Sequence, residues 1–145
     1  MSKDRKVSAS RVIAAEPQVI FDLLADPSAH ARFDGSGTVQ AVQEGGPQRL
    51  EEGARFGMQM KMGAPYRILN TVVEFEEGQR IAWRHFGGHR WRYELEDVDG
   101  GTRVTETFDW STAKLPVAIE LAGFPKKNLA AIEATLVRLE EVVAA

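Results

Sequence analysis

Glu106 is the residue whose surroundings point most directly to chemistry, because the local pattern places its carboxyl group among apolar side chains. A two-residue type I′ turn at Asp99-Gly100 would set Tyr93 opposite Glu106 on one face of a hairpin. Burial on such a face penalises the charged carboxylate and raises its pKa toward the range used in acid/base catalysis. We therefore predict that Glu106 and Tyr93 form a catalytic or anchoring pair. The alternative is a structural carboxyl group that Tyr93 or the backbone satisfies, or one at the exposed rim of the sheet.

His85 is the third candidate catalytic residue. A two-residue turn at Gly87-Gly88 would divide the neighbouring tryptophans between the two faces of the sheet. A three-residue loop or a bulge instead puts His85 on the face that carries Tyr93, and we favour that register. An imidazole there could act as a general base or hydrogen-bond a ligand carbonyl, and the alternative is a solvated histidine at the hairpin end.

The other histidines suggest no metal chemistry. His85 and His89 are four residues apart, but they lie in a hairpin and lack a third ligand at a suitable spacing. His30 is interpreted as a surface residue of a short helix. The sequence therefore predicts no metal site.

Several further classes of function lack their signatures. The chain has no cysteine, which excludes disulfides and thiol chemistry, and its serines lack a Gly-x-Ser-x-Gly turn. Neither a Walker A sequence nor a dinucleotide-binding fingerprint is present, so we predict no cofactor. Arginines alternate with the aromatic residues around position 90 and therefore point to the opposite sheet face. With a net charge of −3, this pattern predicts no nucleic-acid binding.

The elements that position these residues follow from changes in hydrophobic period. Val7–Ile13 is typical of a strand, a helix begins at Pro17, and a second short helix covers Ala29–Phe33. A period of two then predicts six strands separated mostly by glycine-containing turns: Thr38–Gln43, Ala54–Met62, Arg67–Glu76, Arg80–Phe86, Trp91–Val98 and Arg103–Trp110. A long helix follows at Lys126–Ala144, interrupted from Leu115–Ala122 by Gly123 and Pro125. Its apolar stripe consists of Leu129, Ile132, Leu136, Leu139 and Val143.

One apolar sheet face and one apolar helix stripe predict that the sheet wraps around the C-terminal helix. Which side chains of Arg67–Glu76 face inward stays open. Leu69, Val73 and Phe75 compete with Ile68 and Val72 for the inner face. Methionine and aromatic residues are favoured on adaptable ligand surfaces, although they can equally fill a core. The candidate ligand-binding residues are Met58, Met60, Met62, Val73, Phe75, Trp83, Trp91, Tyr93, Phe108, Trp110, Phe124, Ile132 and Leu136.

Length and composition are those of one globular domain covering residues 1–145. Hydrophobic residues make up 43% and charged residues 27% of the 145 positions, which is ordinary for a folded chain of this size. The first residues lack the apolar region of a secretory signal, and no apolar run approaches the ~20 residues of a membrane span. We therefore expect a cytoplasmic protein without integral membrane association.

Taken together, these segments resemble the START-like (SRPBCC) superfamily and, within it, the polyketide cyclase/dehydrase and lipid-transport group. The resemblance covers nearly the whole chain and rests on residues 14–19, 23–27, 81–83, 91–95 and 100–107 together with the C-terminal helix. It implies an α+β helix-grip fold, in which a seven-stranded antiparallel sheet wraps around the long C-terminal helix. Two short helices would lie between strands 1 and 2. It also implies a cavity for an apolar ligand between sheet and helix.

The function expected from these observations is binding of a hydrophobic small molecule, such as a lipid, a quinone or a polyketide-like aromatic, as carrier or sensor. Two alternatives stay open. One is an enzyme of the cyclase/dehydrase type that uses Glu106, Tyr93 and His85, and the other is a protein-interaction domain with a filled core. A homodimer is also compatible with the sequence.

Overall fold

The computed structural model describes residues 5–36, 39–42, 46–84 and 87–144, without the side chain of Met62. The strands are β1 (Lys6–Ile13), β2 (Val39–Val42), β3 (Arg55–Met62), β4 (Ala64–Glu76), β5 (Arg80–Arg84), β6 (Arg90–Val98) and β7 (Gly101–Asp109). The helices are α1 (Pro17–Leu24), α2 (His30–Phe33), α3 (Pro116–Leu121) and α4 (Phe124–Ala144). The strands form one antiparallel sheet in the order β1-β7-β6-β5-β4-β3-β2. This confirms the predicted helix-grip architecture.

The two short helices begin where the sequence supplies start signals. Pro17 occupies the first turn of α1, where its missing N–H costs no hydrogen bond. The Asp26 side chain accepts a 2.9 Å hydrogen bond from Ser28 N and caps a 3₁₀ turn, Pro27–Ala29, that leads into α2. Together these segments carry the chain from β1 across one end of the sheet to β2.

The β6–β7 hairpin has the predicted register but a different turn. Tyr93 pairs with Glu106, and Val98 with Gly101, so two residues form the loop as expected. The predicted type I′ turn is wrong, because it needs positive φ at both central residues and only Gly100, at 89°, has it. Asp99 has a negative φ instead, and only Gly100 takes the left-handed region, which glycine adopts without strain.

The pairing of β4 with its neighbour explains why the sequence does not show which side of Arg67–Glu76 faces inward. Trp83 pairs with Trp91, which confirms that the β5–β6 loop keeps both rings on one face. In β4, by contrast, the pairing with β5 shifts between Val72 and Glu74. This bulge lets both Val72 and Phe75 reach the core although their spacing is odd.

The outer face of the sheet carries the charges that alternation predicts there. Glu74 accepts hydrogen bonds from Arg90 Nη1 at 2.7 Å and from Arg92 Nε at 2.9 Å, and Arg92 also contacts Asp109 at 3.2 Å. Hydrogen bonding from Arg92 is the main reason that the pKa of Glu74 falls to about 2. The charged cross-strand groups therefore stabilise the sheet on the side away from α4.

The C-terminal helical region divides at Gly123, whose φ of 76° ends the short α3. Pro125 does not interrupt the next helix, because it lies in the first turn of α4, where proline is tolerated. Ile132, Leu136 and Leu139 of α4 are buried against the rest of the core. No helix among the described residues is both long enough and apolar enough to cross a bilayer.

Gly35 sets how closely the segment after α2 approaches α4. Its N–H donates to Thr135 Oγ1 at 2.8 Å, and Arg138 Nη1 donates to the carbonyl of Asp34 at 2.8 Å. A Cβ at position 35 would overlap the backbone at Thr135 and Ala134, so only glycine fits this contact. The contact ties the α2 end of the molecule to the middle of α4.

We expect Gly35→Ala to lower the free energy of unfolding by about 2–3 kcal/mol, because the backbone of α4 or of the loop must move to admit a methyl group. Gly53→Ala is the matched control: Gly53 has a φ of 83° but nothing within 4 Å of its Cβ position, so it should lose only about 1 kcal/mol. Urea unfolding followed by circular dichroism measures both. Equal losses would show that the close approach to α4 is unimportant.

Candidate functional site

A cavity of about 740 Å³ lies between the inner face of the sheet, the α2 region and the first half of α4. On α4 its wall consists largely of small or polar residues, among them Asn128, Ala130 and Ala131, whereas the large residues further along this helix close the space. The sheet contributes mostly aromatic and methionine side chains. Of the two arrangements that the sequence left open, the structure therefore has the cavity.

The mouth of the cavity is marked by wall residues that are also exposed. Tyr66 and Arg67 lie near the start of β4, and Phe124 and Lys127 lie at the start of α4. Tyr66 and Phe124 are each 39% exposed, so the mouth has both apolar and cationic groups. The opposite end is buried and contains the polar groups of His30, Glu106 and Tyr93.

His30 is buried, which corrects its interpretation as a surface residue. Its ring stacks on Trp83 with centroids 4.8 Å apart and meets the edge of Phe56 at 5.6 Å. Nε2 lies 2.8 Å from the carbonyl oxygen of Leu24, so a neutral ring with its proton on Nε2 fits this contact. Burial lowers the pKa of His30 to about 4, despite opposing effects of the Leu24 carbonyl and two aspartates. His30 is therefore a neutral wall residue at pH 7.

Glu106 and Tyr93 form the polar end of the cavity. Glu106 is only 4% and Tyr93 only 3% exposed, and the two are directly paired across β6 and β7. Burial raises the pKa of Glu106 well above its ordinary value; hydrogen bonding with Tyr93 lowers it in part, and the charge of Asp34 raises it further. Burial likewise raises the pKa of Tyr93. Burial thus favours the protonated, neutral form of both side chains.

One oxygen of this carboxyl group has no partner among the described residues. Glu106 Oε1 is buried and no described protein atom hydrogen-bonds it. Buried polar atoms nearly always have a partner in folded proteins, so this oxygen is an unsatisfied hydrogen-bonding position on a residue of the cavity wall. Chemically, the site can donate or accept a proton or hydrogen bond at one end and bury apolar surface along the rest.

The structure brings most of the sequence-predicted residues to this cavity. Besides Glu106, its wall includes Met58, Met60, Trp83, Trp91, Tyr93, Phe108, Phe124 and Ile132. Four others lie elsewhere: Phe75 and Leu136 pack in the core, Val73 is half-buried away from the cavity wall, and Trp110 stacks on Phe108 while its Nε1 donates to Glu120 at 2.9 Å. The Met62 side chain and His85 lie outside the described residues, so those two predictions stay untested.

Sequence reasoning missed several wall residues. His30, Phe33 and Asp34 come from the α2 region, and Phe56 and Asn70 from β3 and β4. Alternation from Met58 and Met60 could have found Phe56, and an inward Ile68 implies an inward Asn70. No local pattern identifies the α2 residues, because that segment is too short for a helical period. Within the described residues, no group of three histidine, aspartate or glutamate side chains could hold a metal ion.

Comparison with known proteins connects this arrangement to a family. A family model described as polyketide cyclase / dehydrase and lipid transport matches residues 4–144. The uncharacterized protein Rv0088 of Mycobacterium tuberculosis (strain ATCC 25618 / H37Rv) is 42% identical over 142 residues, covering 94% of this chain and 63% of the relative. Protein MT0096 of strain CDC 1551 / Oshkosh is 41% identical with the same coverage. The chain thus spans under two thirds of these relatives.

Solved structures share the fold at low sequence identity. Protein CV1439 of Chromobacterium violaceum superposes with a TM-score of 0.75 at 20% identity, covering 97% of this chain and 98% of that one. An AHSA1-like protein from Aeromonas hydrophila gives a TM-score of 0.67 at 23% identity, with coverages of 96% and 92%. At such identities the likeness establishes the fold and not the function.

The buried His30 predicts a specific acid sensitivity. Its folded-state pKa of about 4 lies below the 6.5 of an exposed histidine, so the unfolded chain binds the proton first as the pH falls. The contribution of neutral His30 to the free energy of unfolding is fully present above about pH 6.5. It falls by about 3 kcal/mol as the pH drops toward 4. We expect His30→Phe to remove this part of the pH dependence. Urea unfolding of both proteins from pH 7 to pH 4 measures it, and parallel profiles would contradict a neutral His30.

Proposed function

The chain belongs to the polyketide cyclase/dehydrase and lipid transport family, and from this premise we propose that it binds an apolar small molecule in the cavity as a carrier or sensor. The ligand class is that of a lipid, a quinone or a polyketide-like aromatic. The observation that carries the proposal is the cavity of about 740 Å³, because ligand sites of small molecules commonly measure about 300–1,000 Å³.

The wall chemistry supports an apolar ligand with at least one ring. Trp83, Tyr93 and Phe108 present aromatic surface, and Met58 and Met60 present flexible thioethers that adapt to different shapes. Trp83 is further held by its stack on His30, so the ring surface is formed before a ligand arrives. A preformed wall reduces the ordering cost of binding.

The expected affinity from apolar contact alone is moderate. Burying roughly 400 Å² of apolar ligand surface contributes about 10 kcal/mol at about 25 cal/mol per Å². Association costs at least about 4 kcal/mol, which leaves about 6 kcal/mol and a dissociation constant in the tens of micromolar. Tighter binding would require a polar contact inside the cavity.

A second candidate function is catalysis of a proton-transfer reaction, such as cyclisation or dehydration. It is favoured by one observation, the buried carboxyl group of Glu106 on the cavity wall, whose pKa is raised and whose Oε1 has no described partner. A carboxyl group with a raised pKa can act as a general acid at neutral pH. The protein-interaction alternative has no comparable support, since it was based on a filled core.

The cavity proposal predicts the effect of narrowing the site. We expect Ala131→Phe to weaken binding of the neutral fluorescent probe N-phenyl-1-naphthylamine at least tenfold, because the new ring takes the place of ligand against the sheet. Val137→Phe is the matched control on the same helix, since Val137 is 42% exposed and lies off the cavity wall. Probe fluorescence measures the binding. Equal affinities of the two variants would place the bound probe elsewhere.

The two candidate functions differ in what happens to the ligand. We expect native mass spectrometry of protein purified from its own host to reveal a bound small molecule that organic extraction releases unchanged. For a carrier, Glu106→Gln keeps the ligand, and incubation of the ligand with the protein forms no new mass. For an enzyme, the wild type converts the ligand and Glu106→Gln binds without conversion, so a product mass would displace the carrier proposal.

A further inference from the structure

The geometry at the buried end of the cavity points to a more specific ligand. We propose that Glu106 and Tyr93 together recognise a hydroxyl group, an alcohol or a phenol, on the apolar ligand. This inference rests on the proposed binding function, because it names the ligand class of the same site.

The first argument is the open position at Glu106. Glu106 is only 4% exposed and lies on the cavity wall, and its Oε1 has no described protein partner. A buried polar atom without a partner is costly, so a ligand that supplies the missing hydrogen bond gains affinity over one that does not. A purely apolar ligand would leave this atom unsatisfied or would displace a water molecule that satisfies it.

The second argument is the set of donors and acceptors that the pair presents. The Tyr93 hydroxyl carries a proton that it can donate, and the Glu106 carboxyl group, paired with it across β6 and β7, has an acceptor oxygen in either protonation state. Burial raises the pKa of both groups and so favours their neutral forms. The pair therefore offers the ligand one donor and at least one acceptor.

A hydroxyl group is the complement of such a pair, because it accepts one hydrogen bond and donates another through a single atom. A ketone or ether oxygen only accepts, and it would use half of what the pair offers. A carboxylate ligand is disfavoured by burial and by the nearby charge of Asp34, which also lines the cavity. An ammonium group would have to bring its charge into this buried site.

The rings around Tyr93 keep this recognition point in place. The Phe33 ring meets Tyr93 edge-on with centroids 6.4 Å apart, and the Trp83 ring lies 5.6 Å away at 38°. Tyr93 in turn pairs with Ile81 and Glu106 on the two adjacent strands. A hydroxyl that reaches this end therefore meets donors and acceptors whose positions are already set.

The test compares two probes of nearly the same size, 2-naphthol and 2-methylnaphthalene, by quenching of tryptophan fluorescence at pH 7. We expect the wild type to bind 2-naphthol about tenfold more tightly, which corresponds to one satisfied hydrogen-bonding position. In Glu106→Leu and in Tyr93→Phe the preference should fall to about twofold or less. Glu106→Gln should keep most of it, because an amide also offers donors and an acceptor without charge.

The control variant is Glu96→Leu, the same substitution at a residue on the outer face of β6 whose side chain is 65% exposed. It should retain the full preference for 2-naphthol. Should Glu106→Leu fail to fold, the wild type and Tyr93→Phe still decide the question.

The outcomes separate the two proposals. Equal binding of both probes to the wild type overturns the hydroxyl inference and leaves the binding function standing. If the wild type binds none of 2-naphthol, 2-methylnaphthalene and N-phenyl-1-naphthylamine, the binding function is overturned and the inference with it. If 2-naphthylmethylammonium binds most tightly and Glu106→Gln loses this binding, then the group recognised by the site is a cation and not a hydroxyl. That result also overturns the inference.

Discussion

The site depends on one constraint, which is that α4 packs tightly along only part of its length. Ile132, Leu136 and Leu139 bury their side chains in the core, and the Gly35 contact holds the helix at Thr135. The preceding turns of α4 carry small and polar residues on the side of the sheet. These contacts hold the helix from Ile132 onward, while the turns before it border the cavity.

The polar end of the cavity departs from the rule that apolar faces carry apolar side chains. Glu106 lies between apolar positions of β7, and folding alone would favour a hydrophobic residue of similar volume there. Such local conflicts in natural proteins concentrate at functional sites. The outer face contrasts with it, since Glu74 is satisfied by Arg90 and Arg92 and contributes to the sheet. The two carboxyl groups thus have opposite environments and opposite pKa displacements.

Much of the architecture could be predicted from the sequence, because it depends on local rules. The length of the Asp99-Gly100 loop and the alternation beside it sufficed to pair Tyr93 with Glu106. The predicted type I′ turn was wrong, since the loop closes the same register with Gly100 and not Asp99 at positive φ. The inward-facing residues of β4 could not be resolved either. The bulge between Val72 and Glu74 shifts the alternation, so that even-numbered residues face the core before it and odd-numbered residues after it.

The sequence by itself determined the register of the β6–β7 hairpin, the inner face of these two strands and the carboxyl group on it, since each follows from spacing between near neighbours in the chain. Only the tertiary structure decided that space remains beside that face. The cavity results from the summed volumes of α2, the sheet and α4, which are distant in sequence. The same holds for His30, whose burial and lowered pKa depend on Trp83 and Phe56 packing around it. Burial is a property of the whole packed molecule, and no local pattern in α2 carries that information.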